Sequence, residues 1–93
     1  MSRVDAPLFS HCDALSRALL RRVRSWPPGA ARLLGEPIVA AGLRLHCEVA
    51  VALVFPDRRA RALRRADEAA ARLRVLLGLT DEAPALLDAG ARA

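Results

Sequence analysis

The chain has 93 residues, 54% of them hydrophobic but only 3% aromatic, and a formal net charge of +5 at pH 7. That length allows one domain, 1–93, whose thin core buries about 60–65% of the surface exposed by the unfolded chain. All 15 basic residues are arginine. Such a surplus draws a small domain to nucleic acid or to an acidic protein surface, and the lack of a long uncharged apolar run argues against a signal sequence or a membrane span.

Alanine, leucine and arginine dominate, and all three favour helix. Leu8, Cys12, Leu15, Leu19, Val23 and Trp26 recur at steps of three and four, which predicts a first helix over about 7–26 with one apolar face. Arg17, Arg21 and Arg24 follow the same rhythm on another face. Pro27-Pro28-Gly29 then breaks the helix.

A second helix is predicted over about 31–55. Leu34, Ile38, Ala41, Leu45, Val49 and Ala52 form one stripe, with Val39, Leu43, Cys47, Ala50 and Val54 beside it. So wide an apolar arc suits a helix covered on more than one side. Pro37 leaves two alternatives open. It lies harmlessly in the first turn if the helix starts near Leu34 or Gly35, and it kinks the helix if the start is Ala31.

Pro56-Asp57 marks the next start, with Asp57 as N-cap. The third helix is predicted over 57–77, with Leu63, Ala66, Ala70, Leu73 and Leu77 as its buried stripe and Gly78 as its C′ residue. At about 100° per residue, Arg58, Arg61, Arg65 and Arg72 fall on the opposite side, where Glu68 is spaced to pair with Arg65 or Arg72. Thr80 or Asp81 then caps a short fourth helix over about 82–89. Short connections make sequential helices antiparallel neighbours. The expected fold is therefore all-α, an up-down-up-down four-helix bundle with a short fourth helix. Leu19, Leu34, Leu45, Val49, Leu63, Leu73 and Leu77 are its expected core.

Metal and catalytic chemistry find little support. His11-Cys12 and His46-Cys47 come to one level when the first two helices fold as a hairpin. Adjacent helical residues diverge by about 100°, however, so neither dipeptide chelates well, and both cysteines lie on apolar stripes. No glycine-rich phosphate loop is present, and Ser10 beside His11 suggests no triad. We expect no enzyme activity, cofactor, metal or small-molecule substrate.

The arginines remain. From Asp57 to Leu77 there are seven arginines and three acids, and Arg17, Arg21, Arg22 and Arg24 add a second basic stretch. Phosphate is the commonest partner of such a surface. Reading of bases is not expected, because Asn, Gln and Lys are absent and stacking aromatics are few.

Three stretches carry a resemblance: Ser25-Trp26-Pro27-Pro28; Arg32-Leu33-Leu34-Gly35-Glu36; and Ala62-Leu63-Arg64-Arg65-Ala66-Asp67 through Arg72-Leu73-Arg74-Val75-Leu76-Leu77. In this order and spacing, over about two-thirds of the chain, they resemble the Avd-type four-helix-bundle proteins. These are the accessory variability determinants of diversity-generating retroelements, related to the ribosomal intervening-sequence proteins. The resemblance implies a non-enzymatic bundle that forms a pentameric homo-oligomer; a cytoplasmic location is expected from the lack of a secretory or membrane segment. It implies binding to a reverse transcriptase and its template RNA, in support of cDNA synthesis. By position it marks Arg64, Arg65, Arg72 and Arg74 as the basic contact surface. Family members have a long fourth helix where this chain has little after Asp88. The alternative reading is a helical interaction module of another bacterial assembly, such as a conflict system, that binds an acidic protein or a partner helix.

Overall fold

The computed structural model describes residues 5–82, and these are helical almost throughout, with no strand among them. Helix α1 spans Asp5–Arg24. Helix α2 runs continuously over Pro28–Val54, and α3 spans Arg59–Glu82. α1 and α3 both pack chiefly on α2 and share core clusters with each other through their side chains, so α2 is the central helix. By length and composition alone it would also cross a membrane; here its two sides carry its neighbours. The molecule measures 49 × 19 × 16 Å along its principal axes.

α1 ends as expected. The Ser25 and Trp26 amides donate to the Arg22 and Val23 carbonyls, and the Ser25 hydroxyl donates to the same Arg22 carbonyl at 2.7 Å. The breaker serves both helices, because Pro28 and Gly29 already belong to α2, which starts three residues earlier than the pattern suggested. Pro28 suits that place: its missing N–H would be unsatisfied in a first turn anyway.

The first alternative for Pro37 holds for the regular α-helical part of α2, Glu36–Val54, which has Gly35 at its cap position and Pro37 in its first turn, but the residues before it are helical too. Ala31–Gly35 forms a π turn, in which the Glu36 amide donates to the Ala31 carbonyl five residues back. A proline ring clashes with the carbonyl four residues before it in a regular α-helix. The wider turn relieves that clash and lets α2 continue through Pro37.

α2 stops at Phe55, which is extended (φ −118°, ψ 93°) because a residue before proline is excluded from the α region. Asp57 does not cap the next helix. It lies within a 3₁₀ turn, Pro56–Arg58, that leads into α3 without a side-chain cap. Arg59 does the stitching: its Nε donates to the Ala52 carbonyl at 3.1 Å, satisfying an acceptor in the last turn of α2 that no backbone amide reaches.

α3 also corrects the expected end. It passes through Gly78 to Glu82, and no glycine among the described residues has positive φ. Thr80 and Asp81 are helical rather than caps, and the Thr80 hydroxyl donates back to the Leu77 carbonyl at 2.7 Å. The fourth helix expected over 82–89 lies outside the described residues apart from Glu82, which belongs to α3.

Two clusters make the core. Leu19 of α1, Leu34, Ile38 and Ala41 of α2, and Leu73 of α3 form the larger, with Leu15, Trp26, Leu45, Leu76 and Leu77 packed around it. Cys12, Val49 and Ala66 form the smaller, flanked by Phe9 and Leu45. Of the seven expected core residues, Leu19, Leu34, Val49 and Leu73 are buried, whereas Leu45, Leu63 and Leu77 are half-buried. α1 sits close to α2 because α2 offers glycine. A Cβ on Gly42 would lie 2.7 Å from Leu19 Cδ1, and one on Gly35 would lie 2.5 Å from Val23 Cγ1. The two glycines, seven residues apart, receive two α1 side chains four residues apart.

Candidate functional site

The buried face of α3 consists of Ala62, Ala66, Ala69 and Leu73. Leu63 and Ala70, expected in that stripe, are only half-buried. At about 100° per residue the true face is turned by about 50° from the expected one. Alanine presented to α2 allows the backbones to approach closely, which the longer side chain of Leu63 would hinder.

That rotation moves the arginines. Arg58, Arg61, Arg65 and Arg72 do not stand opposite the buried stripe; they border it, along the seam where α3 meets α2. Arg58, Arg61 and Arg65 line a cleft of about 300 Å3 together with Glu48, Val51 and Ala62. Farther along the seam, Arg72 shares a second cleft of about 360 Å3 with Arg44 of α2, between Pro37, Ala40, Ala41 and Ala69. The stripe Pro37, Ala41, Arg44, Glu48 and Val51, at alternating steps of four and three, forms the α2 bank of the seam. Arg44 was not a candidate in the sequence, where it looked like an interruption in an apolar run. Its spacing of four from Glu48 and seven from Pro37 was the available signal.

Arg58 is held in place. Its guanidinium carbon lies 4.9 Å from the Phe55 ring centroid, a cation–π contact that limits the side chain's freedom. Arg58, Arg61, Arg65 and Arg72 are all exposed. Among the described residues none of them is ion-paired, and Glu68 forms no ion pair with Arg65 or Arg72. The other candidates lie elsewhere. Arg64 and Arg74 are exposed on other sides of α3. Arg17 donates through Nε to Asp13 Oδ2 at 2.9 Å, and Arg21 is exposed near the end of α1.

The two His-Cys pairs do come to neighbouring levels of the α1–α2 hairpin. Cys12 is buried against Val49 and Ala66, and burial pushes its thiol pKa above the ordinary value. Cys47 is exposed. The His46 ring packs 5.1 Å from that of Phe9, with Nε2 3.7 Å from Asp13 Oδ1. Among the described residues no three His, Cys, Asp or Glu side chains gather as a metal site would need.

An apolar groove of about 470 Å3 lies where the end of α1 meets the start of α2, lined by Val23, Pro28, Ala31, Val39 and Leu43 among others. Leu33 and Leu43 are exposed on the same helix. No protein-family model, curated protein or solved structure matches the chain.

Proposed function

We propose that this chain is a non-enzymatic, cytoplasmic accessory subunit that binds RNA phosphates along the arginine seam. On the resemblance of its sequence to Avd-type proteins, it would serve a reverse transcriptase and its template RNA in a diversity-generating retroelement. The observation that carries the RNA reading is the convergence of Arg58, Arg61 and Arg65 on one cleft, continued by Arg72 and Arg44. A row of guanidiniums without ion-paired partners suits a ligand that repeats its negative charge along a line. The bundle would be completed by a fourth member following Glu82. Further copies of the chain would cover the apolar groove in a homo-oligomer, with a five-membered ring as the arrangement the resemblance suggests.

The test is RNA binding at several salt concentrations by the parent chain and by a variant carrying Arg65→Glu and Arg72→Glu. The parent should bind with strong salt dependence, and the variant should lose binding while keeping its helical circular dichroism. Equal binding by the two, or binding indifferent to salt, would remove the reading. A reverse transcriptase gene with a template–variable repeat pair beside this chain's gene would support the retroelement role. The second reading, a protein-interaction module of another bacterial assembly, draws on the apolar groove and the exposed Leu33 and Leu43. It gains if RNA binding fails and the groove binds a partner helix.

A further inference from the structure

We infer that the cleft among Arg58, Arg61 and Arg65 is a discrete binding site for a phosphate monoester, the terminal phosphate of an RNA chain or of a free nucleotide. The inference rests in part on the RNA reading, and it separates this cleft from the rest of the seam.

Three features set the cleft apart. The first is convergence: Arg61 and Arg65 stand one turn apart on one side of α3, and Arg58, in the 3₁₀ turn that leads into it, borders the same space. All three border a single cleft of about 300 Å3, the lower end of the range for small-molecule sites. Arg58 is further braced by Phe55, and the start of α3 beneath it adds positive potential from the helix dipole.

The second feature is charge balance. Three guanidiniums face one carboxylate, that of Glu48, which leaves two net positive charges. A phosphate monoester carries between about 1.5 and 2 negative charges near pH 7, whereas an internal phosphodiester carries one. The third feature is the remaining wall. Val51, half-buried, gives it a small apolar surface for the organic group attached to the phosphate.

The test uses the full chain with AMP, inorganic phosphate and two RNA oligonucleotides of one sequence, one with a 5′-phosphate and one with a 5′-hydroxyl. The phosphorylated RNA should bind about tenfold more tightly, the effect of one charge-assisted hydrogen bond. AMP should bind and be displaced by inorganic phosphate. Arg61→Gln, an exposed position, should erase both the end preference and AMP binding, and Glu48→Gln should tighten AMP several-fold. Binding of AMP without preference between the RNA ends would uphold the site with a free nucleotide as its ligand. Binding of AMP without binding of either RNA would also uphold the site, and would refute the RNA reading instead. Equal binding of both RNAs with no AMP bound at millimolar concentration would overturn the site and leave the RNA reading standing.

Discussion

Replacing Gly35, Gly42 and Gly78 by alanine, one at a time, tests the packing and the end of α3 together. Each replacement gains helix propensity, worth about 0.8–1.0 kcal/mol in a helix interior. What differs is the space. At Gly78 nothing lies within 4 Å of a new Cβ and the backbone is helical, so Gly78→Ala should stabilise by up to about 1 kcal/mol. For a domain of this size that raises Tm by about 4–8 °C. At Gly35 the new Cβ would lie 2.5 Å from Val23 Cγ1 and 3.5 Å from the Trp26 ring. Valine is stiff about χ1 and cannot swing aside within its rotamer. Overpacking costs about 1–3 kcal/mol, which offsets the propensity gain and leaves a net loss of up to about 2 kcal/mol. Gly42 should fall between, because Leu19 Cδ1, at 2.7 Å, is the end of a more pliable side chain. Thermal and urea unfolding followed by circular dichroism gives the order, with Gly78→Ala most stable and Gly35→Ala least. A fall in Tm for Gly78→Ala would show a left-handed glycine ending the helix near residue 77. A rise for Gly35→Ala would show that α1 does not sit on α2 at the distance described.

Alkylation should modify the exposed Cys47 quickly and Cys12 only on unfolding. Because burial raises the Cys12 pKa, the unfolded thiol ionises first, so its contribution to stability is intact below about pH 8.5 and declines as pH rises from there towards the native pKa; a Cys12→Ala variant with the parent's slope over that range would refute this. Light scattering coupled to size-exclusion chromatography should show assembly at micromolar concentration, and a monodisperse species near 10.0 kDa would show that the exposed apolar surface needs no second copy.

The helices and their turns were readable because proline acts locally. Pro27-Pro28 and Phe55-Pro56 restrict the backbone whatever surrounds them. The phase of α3 was not readable. Alanine occupies several of its faces, and counting apolar positions gave the leucines at 63 and 77 more weight than alanines deserve in a close helix–helix contact. The π turn was hidden for a related reason. A single period of 3.6 residues was carried across residues 31–55, and an extra residue in one turn leaves no mark in composition. Gly78 has the chemistry of a stop signal, yet its neighbours Leu76 and Leu77 pack on the core and the Thr80 hydroxyl bonds back to the Leu77 carbonyl, which together outweigh a propensity cost of about 1 kcal/mol. For the candidate site, the arginines of α3 were evident as a group. That they border the seam with α2, and that Arg44 and Glu48 stand across from them, depended on the missed rotation.

The length of that seam sets a limit on what one chain can hold. From Arg58 to Arg72 is fourteen residues, about 21 Å of helix, and the second bank adds Arg44 while Glu48 subtracts. A single strand lying there would exchange its condensed counterions at about four phosphates. The logarithm of its binding constant would then fall with that of salt at a slope of about −3, a loss of about fiftyfold between about 50 and 200 mM. Such a grip is too short for tenure at cellular ionic strength. Tenure would come from several seams along one strand, each raising the local concentration seen by the next.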